Sequence, residues 1–99
     1  MYIYNVTVNL ESSIASDWLV WMRLKHIPDV MSTGCFISHR LCKVLADDQG
    51  ETYCVQYFFN EIKDLELYQS NFAPALQAEH KAKYSDKALA FRTILQVID

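Results

Sequence analysis

Apolar and polar residues alternate strictly near the start of the chain. From Tyr2 to Leu10 every second side chain is apolar, and those between are mostly polar. Such alternation is typical of a β-strand with one face in the core and one face outside it. We therefore predict a first strand at Tyr2–Leu10.

A helical period replaces the alternation after Ser13. The apolar residues from Ile14 to Ile27 fall on one side of a helix when residues are placed at intervals of about 100°. Pro28 has no N–H to donate to the carbonyl of Leu24. We therefore predict a first helix over residues 14–27, with a kink or an end at Pro28.

The second half of the chain predicts two strands, two helices and a last strand. The strands are expected at residues 35–46, 52–59 and 88–98, a helix capped by Asn60 follows the third strand, and a shorter helix runs from Pro74 to about Tyr84. Gly50 supplies the positive φ for a hairpin turn over residues 47–50.

The resulting β-α-β-β-α-β order predicts the fold class. Right-handed crossovers fold this order into a ferredoxin-like, four-stranded antiparallel sheet with its helices on one face, an α+β architecture. With 99 residues, the chain is expected to form a single domain over residues 1–99.

The other face of such a sheet has no cover within the chain. Alternation assigns to the helix side Val6, Val8, Leu41, Val55, Tyr57, Phe91 and Leu95. It assigns to the open side Ile3, Asn5, Thr7, Arg40, Cys42, Gln56, Phe58, Arg92 and Ile94. Two copies packed about a two-fold axis would bury Ile3, Phe58 and Ile94, so we expect a homodimer through the open sheet face.

Charge and composition exclude several partners. The net charge is -3 and the nine basic residues are scattered, which argues against a nucleic-acid surface. No apolar stretch approaches the length of a membrane span, so no membrane partner is expected. Three cysteines without CxxC spacing fit a reduced, cytoplasmic protein better than a disulfide framework.

His26 is the main candidate for chemistry. On the helical wheel it lies one turn beyond Met22, on the side that carries Trp18 and Trp21. It can be a general base in a pocket with a tryptophan wall. Alternatively, it is a core histidine bonded to a backbone carbonyl freed near Pro28.

Four polar residues in mid-strand positions are candidate ligand contacts. Arg40 and Arg92 can hold a carboxylate or phosphate, with Asn5 and Gln56 beside them. The structural alternative is an ion pair or hydrogen bonds among these residues or across the dimer. Both interpretations stay open on the residues alone.

Metal and cofactor sites have no support in the spacing. His26, His39 and His80 lie in three separate elements and have no i, i+4 relation. Neither a nucleophile elbow nor a glycine-rich phosphate loop is present. We therefore expect no metal and no cofactor.

Five segments carry a family resemblance: YIYNVTVNL, SDWLVWMRLKHIPDVMSTGCF, QYFF, FAPAL and AFRTILQVI. Together they resemble small bacterial proteins of unknown function in the dimeric α/β-barrel (ferredoxin-like) superfamily. The His26-Ile27-Pro28 motif also looks like a feature of its cofactor-free antibiotic-biosynthesis-type monooxygenases. The resemblance implies the fold, a dimer, and a pocket between sheet and helices with His26 at its wall.

Three functions follow as hypotheses. The protein binds a small, aromatic or amphipathic metabolite. Alternatively, it is a cofactor-independent monooxygenase or isomerase with His26 as general base, or a structural or regulatory dimer without a ligand. A cavity reached by the ring nitrogens of His26 favours the first two, whereas a ring with both nitrogens bonded internally favours the third.

Overall fold

A computed structural model describes residues 1–46 and 49–99. Its strands are β1 (Tyr2–Leu10), β2 (Ser38–Lys43), β3 (Glu51–Phe59) and β4 (Ala88–Gln96). Its α-helices are α1 (Ala15–Trp21), α2 (Ile27–Met31), α3 (Ile62–Asn71) and α4 (Ala73–Tyr84). The strands form one sheet in the order β2-β3-β1-β4, and all neighbours are antiparallel. The predicted ferredoxin-like fold is therefore confirmed.

Several element boundaries differ from the prediction. The second strand begins at Ser38, because Cys35 and Phe36 turn inward and are buried. Glu61, not Asn60, caps α3 through a reciprocal capping box with Asp64. The last helix, α4, was predicted to be the shorter one, but with 12 residues it is longer than α3. A separate finding is that no helix in the described part of the chain is long and apolar enough to cross a membrane.

Gly50 ends the β2–β3 connection with φ +75, as predicted. A Cβ at this position would collide with the carbonyl oxygen of Leu10, so the close approach of the two backbones also requires glycine. Of the predicted turn, Asp47 and Asp48 lie outside the described residues.

The predicted end of the helix at Pro28 is wrong, because the chain stays helical through the proline. A π-helical turn over Met22–His26 joins α1 to α2, and the N–H of Ile27 donates to the carbonyl of Met22, five residues back. Pro28 then occupies the first turn of α2, where no N–H is needed. The chain therefore stays helical to Met31, and His26 lies in the wider turn.

The core lies between the helices and the two central strands. Its largest fully buried side chains are Trp18, Phe59, Leu10, Val8, Val30 and Val55. Trp18 packs against Tyr53 of β3 with ring centroids 5.4 Å apart. This packing fixes α1 over the sheet and, with it, the turn that carries His26.

The predicted faces of β4 are reversed. Arg92 pairs with Val6, so Arg92 and Ile94 lie on the helix side, whereas Phe91 and Leu95 lie on the open side. The prediction assumed that the large apolar residues of this strand enter the core. However, β4 is an edge strand, and Phe91 stays 62% exposed on the open face.

Candidate functional site

A small cavity lies between the helices and the sheet, beside His26. Its volume is about 30 Å³, which is room for a few atoms. Its lining combines aliphatic side chains with a set of residues that carry polar groups: Tyr4, Tyr57, Tyr68, His26, Gln77, His80 and Arg92. A concave site in which polar groups converge among apolar side chains is the usual form of a binding pocket.

The cavity adjoins a larger cleft between α4 and β4. This cleft has a volume of about 400 Å³ and shares Gln77, His80, Ala90 and Arg92 with the cavity. The helices leave this edge of the sheet uncovered, since Ile94 on the helix side of β4 is 51% exposed. The combined shape suits a molecule with a narrow head and a larger body.

His26 lines the cavity, and one of its ring nitrogens is unsatisfied. Its Nδ1 is buried and has no hydrogen-bond partner among the described residues. Burial, and to a lesser degree the charge of His80, lowers the pKa of His26 to about 4, against a smaller opposing effect of Asp29. The ring is therefore neutral at pH 7.

His80 is held by a buried tryptophan. Nε1–H of Trp18 donates to Nε2 of His80 over 2.9 Å, and Trp18 is completely buried. Burial lowers the pKa of His80, and the nearby charge of Arg92 lowers it further. His80 is therefore a second neutral imidazole at the junction of cavity and cleft.

Trp21 packs against both histidines from behind. Its ring centroid lies 5.1 Å from that of His26 and 5.9 Å from that of His80, and the two histidine rings are 5.8 Å apart. Trp21 also packs edge-on against Tyr84, whose hydroxyl donates to a carboxylate oxygen of Asp17 over 2.8 Å. These contacts hold the imidazoles in position.

Arg92 brings a positive charge to the mouth of the cavity. It forms no salt bridge with a described residue. Burial raises the pKa of Tyr4, and the charge and hydrogen bonding of Arg92 oppose this increase. Burial likewise raises the pKa of Tyr57 and Tyr68, so the tyrosines around Arg92 are neutral at pH 7.

The structure brings only some of the predicted site residues together. His26 and Arg92 line one cavity, while Trp18 and Trp21 contact the histidines without lining it. The remaining three candidates are on the open face of the sheet, away from the cavity: Asn5, Arg40 and Gln56. There Arg40 lies over the ring of Phe58 at 5.6 Å.

The sequence interpretation missed His80, Gln77 and Tyr4 as site residues. The signal was present in α4, where Ala73, Gln77, His80 and Tyr84 recur at helical spacing on the inward face. Two polar residues among the inward positions of a helix indicate a polar cavity beneath it.

The opposite edge of the sheet has a second groove. It has a volume of about 410 Å³ and is lined by Arg23, Ile27, Pro28, Met31, His39 and Leu41. Arg23 and His39 are exposed there. Across residues 1–46 and 49–99, no group of three His, Cys, Asp or Glu side chains could hold a metal ion.

Comparison with known protein families assigns the chain to one of them. The model of the family described as "Domain of unknown function (DUF4286)" matches residues 1–98. The chain belongs to this family. Membership confirms the resemblance to a family of unknown function. No curated protein matches the chain.

Solved structures share the fold at low sequence identity. A dimeric ferredoxin-like protein from an uncultured marine organism has a TM-score of 0.75 and 10% identity, covering 99% of this chain and 94% of that one. SnoaB, a cofactor-independent oxygenase from Streptomyces nogalater, has a TM-score of 0.70 and 10% identity, covering 99% and 93%. An ethyl tert-butyl ether d (ethd) family protein from Bacillus halodurans has a TM-score of 0.70 and 10% identity, covering 99% and 100%.

Proposed function

We propose that the protein binds a small amphipathic metabolite, with its polar head in the cavity beside His26 and its body in the α4–β4 cleft. The observation that carries this proposal is the convergence of polar groups from His26, Gln77 and His80 among the aliphatic side chains of the cavity wall. A polar group left without a partner away from solvent costs about 1–3 kcal/mol. A ligand that pairs with these groups recovers part of this free energy on binding.

The junction between cavity and cleft offers a test of this proposal. Ala90 lines both spaces, and Ala90→Leu is expected to block the junction. With 2-naphthol or hexanoate as probe, Tm of the unmodified protein should rise in a saturable way, and the rise should be lost in the variant. Ala82→Leu, at an exposed position of α4 outside both spaces, is the matched control.

Two outcomes would contradict ligand binding at this site. An equal rise in Tm for Ala90→Leu and the unmodified protein would place the probes elsewhere. The absence of any saturable rise with either probe would favour the third hypothesis, a structural or regulatory dimer without a ligand.

A cofactor-independent monooxygenase or isomerase is the second candidate function. A neutral His26 can accept a proton from an activated substrate carbon, and oxygen can then react with the resulting carbanion in the oxygenase case. The oxygenase SnoaB shares the fold. However, a pKa of about 4 makes His26 a weak base at neutral pH, so binding is better supported than proton abstraction.

Oxygen uptake with a quinol substrate tests the enzymatic alternative. The alternative predicts uptake by the unmodified protein and its loss in His26→Ala. Uptake that is unchanged by the substitution would remove His26 from the mechanism, and no uptake by either protein would leave binding as the function.

We also propose that two copies associate through the open face of the sheet. Phe91 and Leu89 are each 62% exposed on this face and Leu95 is 38% exposed, and an apolar surface of this kind gains free energy when it is covered. Ile94 is not part of the surface, because it lies on the helix side. Light scattering should give twice the mass of one chain, and Phe91→Lys should give a monomer.

A bacterial cytoplasm is the compartment that we propose. The odd number of cysteines and the resemblance to small bacterial proteins support this location. A mature protein recovered with a disulfide from an oxidising compartment would contradict it.

A further inference from the structure

An uncompensated positive charge lies at the junction of the cavity and the cleft. Arg92 lines both spaces and has no salt-bridge partner among the described residues. The ionisable groups beside it in the cavity are imidazoles and phenols. Farther out, the cleft also contains Lys81 and Asp86, one charge of each sign, which leaves the excess with Arg92.

The hydrogen bond from Trp18 fixes the proton of His80. An indole N–H is a donor only, so Nε2 of His80 must be an acceptor over the 2.9 Å contact. A neutral imidazole whose Nε2 accepts carries its proton on Nδ1. Because Trp18 is fully buried, this arrangement persists, and His80 has a donor rather than an acceptor left for other groups.

The site therefore offers donors and a cation to the ligand. Arg92 contributes a planar fork of N–H groups, Gln77 an amide and His80 an N–H. We propose that the metabolite bound in this site is a carboxylic acid, whose carboxylate is held in the cavity by Arg92 and His80. This inference rests on the proposed binding function and names the class of its ligand.

Size and polarity favour a carboxylate over a phosphate. The cavity of about 30 Å³ accepts a flat head of a few atoms, and the guanidinium of Arg92 matches two carboxylate oxygens side by side. Aliphatic residues such as Val6, Val8, Met22 and Val55 form much of the wall. A phosphate dianion would lose more hydration free energy in these surroundings than a monoanion with one strong partner.

Titration calorimetry with matched probes tests the inference on the unmodified protein. Hexanoate, hexanamide and hexyl phosphate share a six-carbon chain and differ in the head group. Hexanoate should bind about 10- to 100-fold more tightly than hexanamide, which is the range for a charge-assisted hydrogen bond. It should also bind more tightly than hexyl phosphate.

Removal of the cation gives an independent measurement. Arg92→Gln should weaken hexanoate binding about 10- to 100-fold and leave hexanamide binding within about twofold. Arg92 is exposed on an edge strand, so the variant is expected to fold. Arg23→Gln removes the same charge from the exposed groove at the other edge and should leave both affinities unchanged.

Each result either supports or overturns the inference. Equal affinity for hexanoate and hexanamide would overturn the carboxylate while leaving ligand binding intact, and so would hexanoate affinity that is unchanged in Arg92→Gln. Preference for hexyl phosphate would overturn the carboxylate in favour of a phosphate ligand. Failure of all three probes to bind would overturn this inference, and the proposed function would fall with it only if 2-naphthol also failed to bind.

Discussion

The two edges of the sheet each carry an arginine and a histidine on the side of the helices. At the β2 edge, Arg23 and His39 line a groove of about 410 Å³, and both are exposed. At the β4 edge, Arg92 lies near His80 and His26, whose rings are partly buried and packed on Trp21. The residue types are alike, but their surroundings differ.

The difference shows that burial, rather than residue type, marks a site. Both arginines are exposed, so the contrast lies in the imidazoles, and water satisfies that of His39 at the β2 edge. At the β4 edge the rings of His26 and His80 are half-buried, Trp18 occupies one nitrogen of His80, and Nδ1 of His26 has no partner among the described residues. A ligand that reaches the imidazole of His80 therefore competes less with solvent than one at His39.

The largest effect on stability is expected when the buried hydrogen bond from Trp18 to His80 is removed. Trp18→Phe deletes the hydrogen bond to His80 and leaves a void in the core, so the free energy of unfolding should fall by about 3 kcal/mol. Trp21→Phe, at a half-buried ring, is the control and should cost about 1 kcal/mol. Urea denaturation measures both values, and equal losses would contradict a special role for the Trp18 contact.

A smaller effect on the free energy of unfolding is expected from the protonation of His26. Its pKa is about 4 in the native state and about 6.5 when unfolded, so the unfolded chain takes up the proton first as the pH falls. This contribution lowers stability progressively from about pH 7 to pH 4, by about 2.5 kcal/mol at pH 4.5.

Unfolding in urea at pH 7.5 and pH 4.5 measures the protonation effect. His26→Gln should lose less stability than the unmodified protein over this interval, whereas His39→Gln, at the exposed edge, should follow the unmodified protein. If all three proteins lose the same free energy, His26 is not the group that resists protonation.

The smallest expected effect is the change in the pKa of the imidazoles when one of the two arginines is replaced. Arg92→Gln should raise the pKa of His26 and His80, because the charge of Arg92 lowers both values. Arg23→Gln should leave them unchanged, and both variants should keep the free energy of unfolding within about 0.5 kcal/mol. NMR titration of the imidazole protons measures the pKa values, and equal shifts in the two variants would remove the distinction between the edges.

The sequence was sufficient for the fold and for the place of His26. The alternation of Tyr2–Leu10 and the helical period before Ile27 are strong local signals, and the β-α-β-β-α-β order admits few topologies. The π-helical turn was not predictable in the same way. The wider turn lies where Met22 is buried and His26 lines the cavity, whereas the proline rule describes only a regular α-helix.

The site itself was only partly predictable, because it depends on which face of the edge strand β4 meets the helices. Periodicity sorts the residues of β4 into two faces but does not say which face meets the helices. The large apolar residues suggested Phe91, whereas the register places Arg92 there. The contact of His80 with Trp18 joins residues 62 positions apart and has no local signal.

Mapping a bound acid by NMR tests the central claim most directly. We predict that hexanoate, added to the protein labelled with nitrogen-15, produces saturable shifts at Nε1–H of Trp18 and at the ring nitrogens of His26 and His80. The resonances of His39 at the other edge should not move. Saturable shifts confined to His39 and its groove, or no saturable shifts at all, would contradict a ligand site at the β4 edge.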